Sequence, residues 1–305
     1  MSEQWRVVDL CGFEGELRSM RGGVEVCPEE GTSTIIPVAE VAVVLVGMKV
    51  NLSAAVLHRL AEADVALLFC DWRGIPEGGC YSWSDHGRVA ARHRAQAEVS
   101  LPRKKNAWAR LVRSKIEGQA SVLENLKIRG SGELLALADQ VRSGDPGNVE
   151  AQAARFYWSR TLGLGVGRQP SAGQLIGANA CLDYGYSVLR GHLMRAVLAA
   201  GLAPALGVFH RGRGNAFALA DDLIEPFRPA IDEVALRLPD TASPSDREVK
   251  QLLVAAASQR FDSDGHGIPT VAEGLAQSFG RYVEGDIDRL RVLSWQGPSV
   301  VGVGD

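Results

Sequence analysis

The chain has 305 residues, of which 46% are hydrophobic, and its formal net charge is −3. This length allows one large hydrophobic core or two smaller ones, and because no run of eighteen apolar residues occurs, no transmembrane helix is expected. Five cysteines without a Cys-x-x-Cys pair argue against a disulfide scaffold or a structural zinc site. This cysteine pattern fits a reducing cytoplasm, where we expect the protein, and the start, Met1–Arg6, lacks the apolar core of a signal peptide.

The first 85 residues alternate short β-branched runs with Gly, Pro, Asp and Asn clusters, a pattern typical of strands joined by turns. One helix is predicted among them, over Ser53–Ala63, with Ser53 as its N-cap. This pattern indicates a small β-rich domain. The predicted strands are Trp5–Leu10, Val24–Cys27, Thr34–Pro37, Val41–Val46 and Val65–Cys70.

After residue 90, apolar residues recur at steps of three and four, which predicts helices almost throughout. Ala107–Ile128 and Gly177–Ala200 show this period most clearly. We therefore predict an α+β protein in which a β-rich N-terminal domain, residues 1–85, precedes a larger all-α domain, residues 86–305. The linker is expected near Tyr81–Arg88, and Leu293–Asp305 is expected to be a loose tail.

Positive charge is concentrated in residues 86–130, which carry eleven Lys and Arg against three Asp and Glu. A DNA backbone is the expected partner, because each neutralised phosphate releases a counterion, whereas a solvated helical face is the alternative. The candidate DNA-binding residues of this segment are Arg92, Arg103, Lys104, Lys105, Arg110, Arg113 and Lys115, and a Gly-rich loop further along adds Arg211 and Arg213.

An isolated acid, Glu150, follows the helix-breaking sequence Asp145-Pro146-Gly147 and the predicted N-cap Asn148. In the first turn of a helix the dipole favours an ionised carboxylate, which can bind a divalent cation. The same position also suits an ordinary helix-terminal acid, and this alternative remains open.

A single histidine, His210, ends a turn in which Leu206, Val208 and Phe209 are expected to pack inward. Histidine can bind a divalent cation when carboxylates are near, and an acidic cluster follows it within fifteen residues. A hydrogen-bonded core histidine is the alternative interpretation.

Asp222 and Glu225 are three residues apart, so on a helix they face the same side, whereas Asp221 points roughly 100° away from Asp222. Pro226 is expected to kink that helix. Crowded carboxylates repel each other unless a cation lies between them. The alternative is that Arg228 serves as a structural counter-ion.

Four sequence boxes follow one another along the helical region. They are Asn148–Ala154 (Asn-x-Glu-Ala-x-x-Ala), Asn179 with Asp183–Tyr186 (Asn…Tyr-Gly-Tyr), Gly201–His210 (Gly-Leu-x-Pro-x-Leu-Gly-x-x-His) and Asp222–Pro229 (Asp-Leu-x-Glu-Pro-Phe-Arg-Pro). In this order they resemble the CRISPR spacer-acquisition integrase, the adaptation subunit that inserts captured DNA fragments into a CRISPR array, and the last box is similar to the type II, single-effector branch of that family. Asp183 stands where the family often has Asn, and Gly118 where a helical run often holds Asn.

The resemblance implies a metal-dependent DNA integrase, in which the 3′-hydroxyl of a DNA fragment attacks a phosphodiester at the repeat boundary. It implies Glu150, His210 and Glu225 as catalytic residues and metal ligands, with Asp222 as a nearby support and a further candidate ligand. The mixed N/O ligand set accepts Mg²⁺ and suits Mn²⁺ rather better. No protein nucleophile is required.

The resemblance also implies partners. Two homodimers are expected to flank a dimer of a small ferredoxin-like CRISPR adaptation protein, in a heterohexamer that binds duplex DNA, both the captured fragment and the repeat. We expect the β-rich domain to form the homodimer interface and the RNA-guided effector nuclease to take part in choosing fragments. Two other functions remain open: a metal-dependent endonuclease that cleaves branched or single-stranded DNA without integration, and a non-catalytic DNA-binding scaffold.

Overall fold

The computed structural model describes residues 6–72, 74, 76–82, 86–163, 167–170, 174–210 and 212–298. Over these residues the chain is a mixed α+β protein in which a β-sheet region with one α-helix precedes a helical region, as the sequence predicts. The elements of the first region are β1 (Arg6–Leu10), β2 (Gly15–Met20), β3 (Gly23–Pro28), β4 (Thr34–Pro37), β5 (Val41–Val46), β6 (Val50–Leu52), α1 (Ala54–Glu62), β7 (Ala66–Cys70) and β8 (Pro76–Cys80).

The strands form two sheets of four, in the orders β1-β5-β7-β8 and β4-β3-β2-β6. In the first sheet β1, β5 and β7 are parallel and β8 is antiparallel, whereas β3 pairs antiparallel with both β2 and β4 in the second. The sequence analysis missed β2, β6 and β8. Strand β8 contains Pro76 and two glycines, so its own sequence favours no strand, and its pairing with β7 holds it extended.

The helical region follows from residue 89. Helix α3 begins at Leu101, six residues before the predicted start, because Pro102 suits a first helical turn. None of the described helices is long and apolar enough to cross a membrane. The helices of this region are α2 (Val89–Glu98), α3 (Leu101–Asn125), α4 (Ser131–Gln140), α5 (Val149–Thr161), α6 (Gly177–Ala199), α7 (Ala218–Leu223), α8 (Arg228–Ala235), α9 (Arg247–Ala256) and α10 (Ile268–Glu284).

The first sheet is covered on both faces, which explains why every residue of β5 is buried. One face packs with the second sheet and α1 in a cluster that includes Val44 and Val56. The other face belongs to the large core of the helical region and meets α6. Gly191 of α6 permits this close approach, because a Cβ atom there would lie 3.1 Å from Val43 and 3.3 Å from Leu68.

The expected loose tail is wrong for the part of it that the structure describes. Trp295 is fully buried, and its indole Nε1 donates a 2.9 Å hydrogen bond to Oε2 of Glu233 on α8. Ser114 of α3 donates a 2.6 Å hydrogen bond to the carbonyl of Leu293. A Cβ atom on Gly118 would lie 3.2 Å from the Cβ of Trp295, so this glycine makes room for the segment. Residues 299–305 lie outside the described residues, as do residues 83–85 of the expected linker.

Candidate active site

The predicted ligands meet in one place. Glu150, His210 and Glu225 line a single cavity of about 440 Å³ in the helical region, to which α3, α5 and α6 also contribute. Asp222 is not among its lining residues. The other polar residues that line it are Lys115, Gln119, Arg168, Asp183, Tyr186, Ser187, Arg190, Arg228 and Asp232.

Glu150 lies in the first turn of α5, as expected, but a different residue caps the helix. Asn148 has a left-handed backbone with φ of 49°, and its side chain makes no capping hydrogen bond. The carboxylate of Asp145 accepts hydrogen bonds from the backbone N–H of Val149 at 2.9 Å and of Glu150 at 3.0 Å. Asp145 therefore accepts hydrogen bonds from two backbone N–H groups that the first turn of α5 leaves unpaired, and the Glu150 side chain faces the cavity.

Asp222 holds His210 in place and does not face the cavity. Its fully buried carboxylate accepts hydrogen bonds from the backbone N–H of Phe209 and of His210, each at 3.1 Å, and from Val208. Its Oδ1 lies 2.7 Å from Nδ1 of His210. With its oxygens engaged in this way, Asp222 supports His210, and its role as a further ligand stays a prediction.

The bond to Asp222 also decides the chemistry of His210. With Nδ1 carrying a proton toward the carboxylate, Nε2 is the ring nitrogen left to bind a cation. The hydrogen bond that His210 donates to Asp222 raises the pKa of His210, although partial burial opposes this shift. Phe209 and Leu206 are exposed, contrary to expectation, and Phe209 stacks on the buried Trp108 with ring centroids 4.2 Å apart.

Glu225 does not lie on the same helix as Asp222. Helix α7 ends at Leu223, and Glu225 begins a short 3₁₀ turn, Glu225–Phe227, that leads into α8. Pro226 explains this break, because proline cannot donate the next helical hydrogen bond. The shared helical face is therefore a wrong prediction, although the turn still brings Glu225 to the cavity.

Two cations hold the Glu225 carboxylate, which is buried with 3% of the residue exposed. Arg228 Nε lies 2.8 Å from Oε1, and Lys115 Nζ lies 2.5 Å from Oε2. Burial alone raises the pKa of Glu225, but Arg228 and Lys115 outweigh it and lower the pKa to about 2. Glu225 is therefore ionised at neutral pH. Arg228 is thus a counter-ion of Glu225, as the alternative interpretation has it. The second carboxylate oxygen, Oε2, contacts Lys115.

Lys115 is a central member of the site, although the sequence analysis placed it among the DNA contacts. Its Nζ lies 2.8 Å from Oε1 of Glu150 as well as 2.5 Å from Oε2 of Glu225, and only 14% of its side chain is exposed. Burial would lower the pKa of Lys115, but the charges of Glu225 and Glu150 raise it above its ordinary value. An ammonium group thus lies between the two predicted metal ligands.

The Tyr-Gly-Tyr box supplies a further cavity residue that the sequence analysis missed. The hydroxyl of Tyr186 donates a hydrogen bond to Asp232 of α8, which is 1% exposed and lines the cavity. Burial raises the pKa of Asp232 to about 6, although its hydrogen-bond partners oppose the shift. Gly185 permits the contact of α6 with α8, because a Cβ atom there would lie 2.5 Å from Ile231. The one signal in the sequence that could have pointed to Asp232 as a cavity residue is its short distance from Glu225.

Two of the expected DNA-binding residues are structural. Arg92 is buried and pairs with Glu284 at 3.3 Å. Arg103 donates hydrogen bonds to the carbonyls of Tyr282 at 2.6 Å and Ile287 at 2.7 Å, and its guanidinium lies 4.3 Å from the centre of the Tyr282 ring. Both arginines join the helices around α10, so we no longer expect them on the DNA path.

The remaining candidates stay available. Lys105 and Arg213 are exposed, and Lys104 lines a groove of about 420 Å³ that also includes His210. Arg110 donates to Asn106 at 3.1 Å, and Arg113 pairs with Glu117 at 3.0 Å and with Asp139. Arg211 lies outside the described residues. The candidates for a basic path toward His210 are therefore Lys104, Lys105, Arg110, Arg113 and Arg213.

The donor set of the cavity fits a divalent cation. Two carboxylates and one imidazole nitrogen are ligands that Mn²⁺ and Mg²⁺ accept. Oε2 of Glu225 is buried and lacks a well-formed hydrogen bond, its near neighbour being the positive charge of Lys115. Glu150, His210 and Glu225 share the cavity, but among the described residues only Asp262, Asp264 and His266 have three ligand atoms within 4.8 Å of one another. That group lies in the loop before α10 and is bonded within itself.

Known proteins resemble this chain along most of its length. A family model described as CRISPR associated protein Cas1 matches residues 12–250. A CRISPR-associated endonuclease Cas1 from Neisseria meningitidis serogroup C (strain 8013) is 37% identical over 212 residues, which are 69% of this chain and 68% of that protein.

Solved structures share the fold. A casposase bound to an integration product matches with a TM-score of 0.78 at 17% identity, over 98% of this chain and 96% of the casposase chain. A chain of a Cas6-RT-Cas1–Cas2 complex matches with a TM-score of 0.71 at 18% identity, over 94% of this chain and 36% of that chain. At these identities the two structures show a common fold.

Proposed function

Since the chain belongs to the Cas1 family of CRISPR-associated proteins, we propose that it is a metal-dependent DNA integrase of CRISPR adaptation. It inserts foreign DNA fragments into the CRISPR array by attack of a fragment 3′-hydroxyl on a repeat-boundary phosphodiester. The observation that carries this proposal is the meeting of Glu150, His210 and Glu225 in one cavity that basic side chains border.

Glu150, His210 and Glu225 hold the divalent cation, Mg²⁺ or Mn²⁺, in this proposal. When bound there, the cation lowers the pKa of the attacking hydroxyl and neutralises the charge that develops on the phosphate and the leaving oxygen. In the reaction a new bond forms between the fragment 3′-oxygen and phosphorus, while the bond from phosphorus to the repeat's own oxygen breaks. The protein supplies no covalent nucleophile.

The residues around the ligands position them. Asp222 fixes the tautomer of His210 through Nδ1, so that Nε2 serves the cation. Arg228 holds Oε1 of Glu225 at 2.8 Å and keeps the carboxylate ionised. The basic path from Lys104 and Lys105 to Arg213 binds the DNA backbone, which orients the duplex without reading its sequence.

The partners of the protein follow from its family and remain part of the proposal. The chain pairs as a homodimer through its β-rich region, residues 1–85, where Phe69 and Trp72 are exposed large apolar side chains. Two such dimers join a dimer of a small ferredoxin-like adaptation protein and bind duplex DNA. The fold likeness to a chain of the Cas6-RT-Cas1–Cas2 complex supports this assembly, and the RNA-guided effector nuclease takes part in fragment choice.

A strand-transfer assay tests the proposed reaction. The protein, its small adaptation partner and Mn²⁺ are mixed with a repeat-containing plasmid and a DNA fragment that ends in either a 3′-hydroxyl or a 3′-deoxy group. We expect fragment joined to the repeat boundary only when the 3′-hydroxyl is present. Cleavage of branched DNA without any joining would favour the endonuclease alternative, and no metal-dependent change of either DNA would favour the scaffold.

A further inference from the structure

Lys115 occupies the position between two acids to which the proposed function assigns a divalent cation. The side chain extends from the middle of α3, where neighbouring residues Ser114 and Ile116 are buried in the core. Its Nζ lies within 2.8 Å of Glu150 and 2.5 Å of Glu225, acids that come from two other parts of the chain. One flexible ammonium group therefore joins two carboxylates that would otherwise repel each other.

The charges of the four side chains in this cluster oppose the entry of a divalent cation. Glu150 and Glu225 contribute two negative charges, and Lys115 and Arg228 contribute two positive charges, so the cluster is neutral as it stands. A divalent cation that enters without any other change would leave two positive charges uncompensated in a site where Glu225 and Lys115 are mostly buried. Such a charge is costly in a poorly solvated site.

Two events can remove that cost. The Lys115 ammonium can leave the carboxylates, or anions can enter with the cation. DNA provides both at once, because each phosphodiester brings one negative charge and is also a partner for an ammonium group. The four-carbon stem of lysine lets the ammonium move while the backbone of α3 stays in place.

Resting on the proposed function, we propose that Lys115 couples the binding of the divalent cation to the binding of DNA. Without DNA, its ammonium competes with the cation for Glu150 and Glu225 and keeps the affinity for the cation low. A DNA phosphate then takes over the ammonium, and the two acids become free to bind the cation. Lys115 is a positioning residue in this scheme, and by linkage the cation strengthens DNA binding by the same factor.

Mn²⁺ titrations of the full chain, followed by the electron paramagnetic resonance signal of free Mn²⁺, test this coupling with and without duplex DNA. We expect Lys115→Met to bind Mn²⁺ about tenfold more tightly than the parent when DNA is absent. Duplex DNA should tighten Mn²⁺ binding by about tenfold in the parent and hardly at all in Lys115→Met. Lys127→Met, which removes an exposed lysine just after the same helix, should behave like the parent.

Two controls separate an effect on metal binding from a loss of folded structure: the variant Lys115→Arg, and thermal melting of every variant. Lys115→Arg keeps a cation between the acids, so its Mn²⁺ affinity without DNA should stay as low as that of the parent. If Lys115→Met melts early without metal, Mn²⁺ should raise its melting temperature more than it raises that of the parent. Equal Mn²⁺ affinities of parent and Lys115→Met, or an equal gain from DNA, would overturn the coupling while leaving the metal site standing. A parent that binds no Mn²⁺ even with DNA would instead overturn the metal site of the proposed function, and the coupling with it.

Discussion

His210 depends on Asp222 in a way that its position in the sequence does not reveal. The carboxylate of Asp222 accepts hydrogen bonds from three backbone N–H groups, those of Val208, Phe209 and His210, and from the imidazole of His210. These three residues lie outside the helices and strands, so Asp222 supplies the partners that regular structure would otherwise supply. Removing Asp222 leaves these donors without that partner.

We therefore predict that Asp222→Ala lowers the free energy of unfolding by about 3 kcal/mol and weakens Mn²⁺ binding by about ten- to a hundredfold. Urea unfolding and calorimetric titration measure the two effects. Asp221→Ala is the matched control, because Asp221 pairs with Arg190 at 2.6 Å near the surface and does not contact His210 through any bond described above. An Asp221→Ala protein that loses more Mn²⁺ affinity than Asp222→Ala would contradict this role.

The ionisation of Asp232 and that of Glu225 change the free energy of unfolding with pH in opposite directions. Burial raises the pKa of Asp232 from 3.8 to about 6, so the folded protein holds this proton longer than the unfolded chain does. Its ionisation therefore costs stability progressively as the pH rises from about 4 to about 6. The pKa of Glu225 falls from 4.5 to about 2, so its contribution is present above pH 4.5 and is lost as the pH falls toward 2.

We predict that Asp232→Asn removes the loss of stability between pH 4 and pH 6. A shift of about two pKa units corresponds to about 3 kcal/mol, so the parent should lose up to that much relative to the variant across this range. Urea unfolding of both proteins at half-unit pH steps measures the difference. A difference that stays constant from pH 4 to pH 7 would show that Asp232 does not titrate in this window.

At the scale of elements, residues 293–295, which the sequence analysis took for part of a loose tail, join two helices that line the cavity. Leu293 and Ser294 bond to α3, and Trp295 bonds to Glu233 of α8, so the segment joins the helix that carries Lys115 to the helix that begins with Arg228. The contact of α3 with the turn that holds Glu225 is thereby supported from outside the cavity.

Trp295→Ala should lower the free energy of unfolding by about 3 to 5 kcal/mol, because it removes a fully buried aromatic ring and leaves a cavity. Leu252→Ala provides the control, since Leu252 is an apolar side chain of α9 that is 51% exposed, and its loss should change stability by less than about 0.5 kcal/mol. Urea unfolding measures both. Equal midpoints for Trp295→Ala and the parent would mean that the segment is not part of the folded core.

The sequence predicted the elements that bury apolar residues at a regular period, and it missed those that their neighbours determine. Strand β5 and helix α6 were predicted because their own patterns are strong. Strand β8 was missed because its pairing with β7 decides it, and the burial of Trp295 because its partners lie on distant helices. A tryptophan two residues after Leu293, in a segment otherwise made of smaller side chains, was the signal available.

For the site, the structure brings the three predicted motif residues to one cavity, whereas the contacts of their neighbours could be seen only in the fold. A carboxylate at position 222 can face a metal or hold a loop, and the spacing to Glu225 does not distinguish the two when the helix ends between them. Arg92 and Arg103 lie in the most basic segment of the sequence. The sequence pattern could not show that Arg92 pairs with Glu284 and that Arg103 donates hydrogen bonds to backbone carbonyls.

At the scale of the whole molecule, the proposed DNA path keeps the exposed basic residues and leaves out Arg92 and Arg103, which make structural contacts. The double substitution Lys104→Ala with Lys105→Ala should weaken binding to every duplex tested, because these side chains meet phosphates and not bases. The salt dependence of binding should flatten by about 0.9 for each phosphate that no longer meets a lysine. Fluorescence anisotropy across a salt series measures both quantities.

Arg103→Ala is the matched control from the same turn of α3. It should lower the free energy of unfolding, because two carbonyls lose their donor, and it should leave the salt dependence of DNA binding unchanged. A flattening as large as that of the double substitution would place Arg103 on the DNA after all and return it to the DNA path.

Strand transfer by single-residue variants tests the central claim, that Glu150, His210 and Glu225 together hold the cation that drives integration. Glu150→Gln, His210→Ala and Glu225→Gln are compared with the parent in the plasmid assay, each after its fold and DNA affinity have been measured. We predict that each variant loses at least about a hundredfold in transfer rate and, when Mn²⁺ is left out, binds DNA no less tightly than the parent does. A well-folded Glu225→Gln protein that joins fragments at the rate of the parent would contradict the account.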